Sequence, residues 1–562
     1  MISRRLFLQS TILQSLRGMG ISALAYFPTA TQATTPIPTV SVKDYGARGD
    51  GKTDDTAACQ SALDSGALEI IFPPGVYKIG DLRVSRSLTI TNQGEILGRI
   101  SVRDTTPDIN LTPGKGSIEN GQKILHFTKP HPFSPGENIV ISLMGAGDSR
   151  KNQAGLHFSK ILDASSQMIE LERPVRFDYN RFSCATFTGS TISHSIDRGT
   201  SYVDLAEEIP ITPGTLIRIE CLEGSDSPYA SWNMGPLFAR NSYFEINVVK
   251  KIEGKRVYLE ANTAYAYKTA LLISLGKLNN ITLRGGKIND IRATNTQNLT
   301  LTNITTNRIQ LSRCFNFSVS EIDISAKNTP IGFGLSACRR GRISKIDACC
   351  ATGSTDNGNV KIMSGLDITI ENVRSSQTSA KAQGIYPMFV DFYVTPYSSW
   401  SQNITIANCQ LGAPNGGAQR SLWIAGGREC TVSRVKVDAG VRVEKSVDIT
   451  IDNLEALGLL DFQEVRDLKK LANFTGRGIS LAGVERAQIS DGNIIGCSTN
   501  IPVRIGRSKV VSASSDVTLE RVKFDAQCKH QHLQSEEVER LKLIDVLTSD
   551  GQKIKIQQKK KR

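Results

Sequence analysis

The phrase Asn-Ile-Thr-Leu at Asn280–Leu283 returns as Asn-Leu-Thr-Leu at Asn298–Leu301, and a shorter copy follows at Phe317–Val319. Further copies stand at Asp367–Ile370, Asn403–Ile406, Cys430–Val432, Asp448–Ile451, Asp516–Leu519 and Leu541–Leu543. Each is an apolar–polar–apolar run, most of them behind a turn former, and its period of two predicts a short strand. The first three copies lie 18 residues apart. Strands this short cannot bury a face alone, so they must stack on one another. The class is therefore all-β, and the architecture predicted is a parallel β-helix with one repeat per coil. A β-sandwich of hairpins is the competing reading, and the scarcity of Asn-Gly or Asp-Gly turns between the copies counts against it.

Upstream lies Val42-Lys-Asp-Tyr-Gly-Ala-Arg-Gly-Asp-Gly-Lys-Thr-Asp-Asp-Thr56, a small-residue helix at 56–65, and then Phe72-Pro-Pro-Gly-Val-Tyr77. Thr53 or Asp54 suits the helix N-cap, and Asp55 suits its positive first turn. Ala58, Ala62 and Leu63 give the helix a narrow apolar face to lay over an open solenoid end. This region resembles the entry signature of the pectate-lyase superfamily of right-handed parallel β-helix proteins, which includes tailspike depolymerases and rhamnogalacturonase- or epimerase-like proteins. The resemblance covers about residues 40–105 and 275–546. It implies the fold strongly and a reaction only loosely, because the superfamily holds hydrolases, lyases, epimerases and non-enzymes.

Residues 106–274 break the coil rhythm and contain a duplication. Ser117-Ile-Glu-Asn-Gly121, Phe133-Ser-Pro-Gly136 and Ile139-Val-Ile141 align without gaps, 78 residues on, with Ser195-Ile-Asp-Arg-Gly199, Ile211-Thr-Pro-Gly214 and Ile217-Arg-Ile219. Two small β-modules inserted between the first coil and the main solenoid account for this. They serve either substrate contact, which Tyr229, Trp232, Phe238 and Tyr243 suit, or rigid packing. The predicted organisation is an export signal at 1–33, an N-terminal cap and first coil at 34–105, the insert at 106–274, the main β-helix at 275–546 and a disordered basic tail at 547–562.

The 562 residues carry a formal charge of +13, and its location matters. Residues 1–33 hold +3 and Lys553–Arg562 hold +6, which leaves +4 for the body. That is no footprint for nucleic acid. Ser3-Arg-Arg-Leu-Phe-Leu8 matches the twin-arginine export motif, a Gly/Ala-rich run follows, and Thr31-Gln-Ala33 suits cleavage. A periplasmic or secreted protein without a membrane anchor after signal removal is expected. The eleven cysteines are odd in number and mostly at strand positions, as small buried hydrophobes would be. Cys528, His530 and His532 could hold a metal, but no fourth ligand is evident, so no metal site is assigned.

All six histidines fall outside residues 195–529, which excludes a histidine base or triad in that stretch of the solenoid. Polygalacturonase-like glycosidases of the same fold carry an Asp cluster with Gly-His-Gly and Arg-Ile-Lys. Gly332-Phe-Gly334 and Val360-Lys-Ile362 are faint echoes, with Phe333 where the histidine would stand. Each coil has a second strand, and with apolar residues inward, Lys361, Trp423, Arg442, Glu444, Ser480 and Arg504 point outward in one row. A loop at 374–400 adds Tyr386, Asp391, Tyr393, Tyr397 and Trp400. Aromatics beside charges suit a polysaccharide groove, so a polysaccharide is the expected partner. A solvated face is the alternative.

Hydrolysis of a glycosidic bond needs two carboxyls, drawn from Asp356, Asp391 and Glu444. A lyase would use a base such as Tyr386 or Lys361 and a cation, Arg442 or Ca²⁺, against the uronate carboxylate. Trp400, Trp423, Arg442, Tyr393 and Arg504 are the candidate substrate-binding residues. Hydrolysis requires no cofactor; Ca²⁺ belongs to the lyase alternative. A non-catalytic binding or adhesive solenoid is the third reading, and a homotrimer is compatible with all of them.

Overall fold

The computed structural model describes residues 38–562 apart from 105–111, 120, 144–155, 176–181, 224–242, 327–331, 351–359, 378–387, 392–399, 413–419, 496–501, 507–512, 527–531, 537 and 560–562. The described chain is almost all strand, with one α-helix at Thr56–Asp64 and a single 3-10 turn at Val42–Tyr45. The repeated phrase forms a first column of parallel strands. Ile281 pairs with Leu299, Leu299 with Phe317, Phe317 with Gly341, Gly341 with Ile368 and Ile368 with Ile404. A second column follows through Ile304, Ile322, Ile346 and Val373. A third holds Phe333–Ser336, Val360–Met363, Met388–Asp391, Arg420–Ala425 and residues 440–444. One coil is one strand from each column, so the fold is a parallel β-helix.

The corners explain the Asn and Asp of the phrase. Asn280, Asn298, Asn316, Asp367, Asn403 and Asp448 all have φ between 50° and 58°. A single left-handed residue turns the chain sharply, and Asn and Asp tolerate that conformation best after glycine. A second left-handed position at Asn303, Asn372, Asn408, Asn453 and Asn473 bends the first sheet into the second. The amides also tie coil to coil: Asn298 Nδ2 donates to Asn280 Oδ1 at 3.1 Å, and Asn316 Nδ2 to Asn298 Oδ1 at 2.6 Å.

Inside the coils the apolar residues stack. Leu299, Leu301, Ile304, Ile309 and Leu311 of one coil are each at most 1% exposed. Each such side chain contributes roughly 1.5–3 kcal/mol on burial, which no isolated coil could collect. The seven described cysteines of known burial are buried and unpaired, and form part of this interior and that of the insert. Gly341 faces the Phe317 ring one coil earlier, and a Cβ there would overlap it.

The helix Thr56–Asp64 packs Cys59, Ala62 and Leu63 into the same core. Its cap differs from the expectation. Asp55 is the N-cap residue, yet its carboxylate accepts from the backbone N–H of Arg48 and Gly49 at 2.7 and 2.9 Å. It fastens the preceding glycine turn rather than the helix. Asp54 Oδ1 accepts from Thr56 N at 3.0 Å.

The chain leaves the stack after Arg103 and rejoins it at Asn279 without loss of register. Ile281 pairs with Leu88 and Arg292 with Ser101 across the insertion. Between them stand two six-stranded antiparallel sheets with the same strand order, Phe182–Thr186 and Thr269–Gly276 taking equivalent places. The second module packs on the corner that follows the third column. Its core residues Tyr243, Tyr265 and Tyr267 share a cluster with Leu366 and Trp400. Arg339 on the coil reaches Glu245 Oε2 at 2.8 Å and Asp367 Oδ2 at 3.1 Å, and Arg198 binds Glu429 at 2.6 Å. Burial raises the Glu245 carboxyl to about 6 against the pull of Arg339, and raises Glu220, beside Arg218, to about 7. Tyr243 is wholly buried here, so it serves packing; Tyr229, Trp232 and Phe238 lie outside the described residues.

The predicted disordered tail is ordered strand in part. Leu547–Thr548 and Ile556–Lys559 pair in parallel with Lys523–Phe524 and Leu533–Glu536, so the stack runs on past Val546. A run of lysines hides a strand because lysine at outward positions leaves the inward alternation untouched.

Candidate functional site

The outer face of the third column is the candidate site. Its later strands keep every second residue in the core: Val441 and Val443, Leu460 and Phe462, Ile479 and Leu481, Val503 and Ile505 are all buried. The residues between them must leave on the other face. Register then assembles one file across the coils: Arg292, Gln310, Gly334, Lys361, Phe389, Trp423, Arg442, Asp461, Ser480, Arg504 and Gln534 are successive partners. Five of the six residues named from the sequence stand in it.

Glu444 stands in the next file, two residues further along the strand. It pairs with Ala425 on one side and Gln463 on the other. Asp391 follows Val390, the partner of Ile424, so by the same register it precedes Ala425. Asp391 and Glu444 are therefore two coils apart with only Ala425 between, roughly 10 Å along the stack at about 4.8 Å per coil. The backbone of Asp391 is described and its side chain is not.

Around Glu444 the polar groups are linked. Arg442 Nη2 meets Glu444 Oε2 at 2.5 Å and donates to Gln463 Oε1 at 2.8 Å. Gln463 Nε2 donates to Asp461 Oδ2 at 3.1 Å. The Arg442 guanidinium lies 5.7 Å from the Trp423 ring centroid, within cation–π range. Asp461 and Gln463 escaped the sequence reading because Leu459 and Leu460 open their strand and blur its alternation. Their signal was the spacing: Val441 and Ile479 are 38 residues apart, two coils of 19, with one strand due between them.

Three expectations are corrected. Lys361 leaves on the outer face but is only 2% exposed, so it is no free surface cation. Alternation decides the face from which a side chain departs, not what covers that face. Trp400 is no groove residue: it is 1% exposed, its carbonyl accepts from Tyr265 Oη at 2.7 Å, and Arg428 lies 4.7 Å from its ring. The second module has captured it. Phe333 points into the core at 0% exposure, so the Gly-Phe-Gly echo of a histidine motif is packing. Asp356, Tyr386, Tyr393 and Tyr397 lie outside the described residues. Arg504 is exposed, and among the described residues its side chain has no hydrogen-bond or ion-pair partner.

No group of three or more His, Cys, Asp or Glu among the described residues is placed to hold a metal. His532 is buried, and its Nδ1 accepts from the backbone N–H of Lys555 at 3.0 Å. A concavity of about 820 Å³ lies at the corner between the first and second columns, lined by Asn372, Arg374, Asn408, Arg434 and Asn473 among others. It contains none of the file described above.

The architecture is that of a parallel β-helix, and the first part of the chain is similar to pectate-lyase-like proteins. The model of the family described as rhamnogalacturonase A/epimerase, pectate lyase-like, matches residues 39–172. The tailspike gp61 of Pseudomonas phage phi297 superposes with a TM-score of 0.51 at 12% identity, covering 88% of this chain and 82% of that one. That likeness is one of fold. The pre-neck appendage protein of Bacillus phage B103 is 27% identical over 122 residues, 22% of this chain. Alginate lyase 7 of Azotobacter vinelandii is 42% identical over 64 residues, 10% of this chain. The matched stretches span only 14% and 8% of those two relatives.

Proposed function

We propose that this protein binds a polysaccharide along the outer face of the third column and cleaves it by hydrolysis of a glycosidic bond. The observation that carries the proposal is the Arg442–Glu444 pair beside Trp423, with the Asp391 position two coils from Glu444 in the same file. Two carboxyls two coils apart approach the spacing of roughly 6.5–9.5 Å that inverting hydrolysis uses to fit a water beside the sugar. Glu444, ion-paired to Arg442, serves as the base that activates the water, and Asp391 as the acid that protonates the leaving oxygen. Trp423 offers a ring face for a sugar. The family match, whose description names rhamnogalacturonase and pectate lyase, and the alginate lyase segment support a carbohydrate ligand. The twin-arginine motif at Ser3–Leu8 supports action outside the cytoplasm, in the periplasm or beyond.

The test is incubation of the protein with neutral and acidic polysaccharides while reducing ends and the absorbance of unsaturated uronate products are followed together. Reducing ends without absorbance are expected. Both rising together would move the reaction to β-elimination, with Arg442 neutralising a uronate carboxylate. Binding without either signal would leave a non-catalytic solenoid.

A further inference from the structure

The two insert modules are copies of one another, yet one corresponding face has opposite character in each. Asn138 pairs with Lys160 in the first as Leu216 pairs with Val248 in the second, and Ile139 pairs with Thr186 as Ile217 pairs with Ser274. Ile161 pairs with Leu171 as Val249 pairs with Leu259. Lys160 therefore answers to Val248, Arg173 to Ala261 and Phe187 to Leu275. In the second copy this face is plain apolar packing: Leu216, Val248, Ala261 and Leu275 close on Phe315 and Ala337 of the solenoid. In the first copy Asn138, Lys160, Arg173 and Phe187 line a cavity of about 120 Å³ at the seam with the second module.

The cavity has an apolar wall and a polar rim. Phe158 and Phe187 meet edge to face with ring centroids 5.6 Å apart, and Leu222 and Leu271 of the second module complete the wall. Lys160 Nζ donates to Glu207 Oε1 at 3.0 Å across the seam. Glu172 is exposed; Arg173 is half-buried, and its guanidinium has no hydrogen-bond or ion-pair partner among the described residues. Lys160 and Arg173 balance Glu172 and Glu207, so the lining supplies donors and acceptors without a net charge. An apolar cavity of about 150 Å³ takes up benzene, so this one has the space of a single six-membered ring whose substituents reach the rim. Packing alone calls for the apolar set that the second copy has, because polar side chains along an empty seam give up hydration without gaining partners.

We propose that the seam between the two modules is a non-catalytic binding site for one neutral pyranose ring of a saccharide. A pyranose has an apolar face for Phe158 and Phe187 and a rim of hydroxyls that both donate and accept. Those hydroxyls donate to Glu172 and Glu207 and accept from Arg173 and Lys160. A uronate ring meets the two carboxylates as well as the two cations and gains nothing over a neutral one. The site stands apart from the cleavage assigned to the third column, and it gives the insert a role in recognition besides rigid support.

The experiment uses the full chain with the methyl glycosides of glucose, galactose, mannose, rhamnose and N-acetylglucosamine, and with methyl glucuronide as the charged control. Binding is followed by saturation-transfer NMR and calorimetry. At least one neutral glycoside is expected to bind more tightly than the glucuronide. R173A and F187L install the residues of the second copy, and each is expected to weaken that binding by about tenfold or more. R173A, on a half-buried side chain, is expected to keep the wild-type melting temperature. W423A, on the third column, is expected to bind the glycoside as wild type does. Loss of binding in W423A, wild-type binding by R173A, tighter binding of the glucuronide, or no binding by any neutral glycoside each overturns the inference. None of these results bears on cleavage, which the release of reducing ends from polysaccharide decides separately.

Discussion

Arg442 and Glu444 leave the same strand on the same face, and their side chains meet at 2.5 Å. Gln463 on the following coil shares the same guanidinium nitrogen. A carboxylate held in this way on an otherwise open solenoid face has a fixed direction, which a scattered solvating acid would not have. E444Q is therefore expected to cut the rate of polysaccharide cleavage by about 10²-fold or more, the usual range for loss of a general acid or base. D391N should act alike. Binding should change only a few-fold, because Trp423 remains. Wild-type release of reducing ends by E444Q would remove Glu444 from the chemistry.

Trp400 separates packing from recognition. It lies in the core of the second module beneath Tyr265 and Arg428. W400A should cost roughly 3–5 kcal/mol of stability, as other deletions of buried aromatics do. Chemical denaturation would show it as a lower midpoint. A variant with unchanged stability but weakened polysaccharide binding would return Trp400 to the groove.

Gly341 tests the stack itself. Its missing side chain accommodates the Phe317 ring in the neighbouring coil. G341A should destabilise by about 1–3 kcal/mol through overpacking, and F317L added to it should recover part of the loss. Thermal unfolding of the two variants and of wild type decides the matter.

Two buried carboxyls predict a pH dependence. Burial raises Glu220 from 4.5 to about 7 and Glu245 from 4.5 to about 6. Between the unfolded and folded values the native state binds more protons than the unfolded chain, so stability falls as pH rises. The effect of these groups is greatest at pH 4.5 and below and is lost progressively through pH 6 to 7. The slope from Glu220 alone is at most about 1.4 kcal/mol per pH unit. E220Q should flatten the melting temperature between pH 5 and 7, and an unaltered profile would show that other groups set it.

What the sequence determined by itself is the solenoid and the direction of its side chains. Asn280, Asn298 and Asn316 recur every 18 residues because one left-handed corner per phrase is the cheapest way to close a coil, and Asn and Asp bear that conformation. A period of two then decides inside from outside, so the file through Trp423, Arg442 and Arg504 could be written down in advance. The duplicated insert was legible for the same reason, since its turns and strands are local.

Only the tertiary structure decided what meets across coils and what covers the face. Asp461 and Gln463 joined Arg442 and Glu444 through a contact between residues 21 positions apart or fewer, yet the apolar pair Leu459–Leu460 concealed their strand. Trp400 was taken into a module more than a hundred residues away in sequence, and its Tyr265 contact spans 135 positions. Lys361 obeyed its alternation and was still covered. Local periodicity is a property of the backbone and is written in each short segment. Burial and pairing depend on which distant segments the stack brings alongside, and no single segment carries that information.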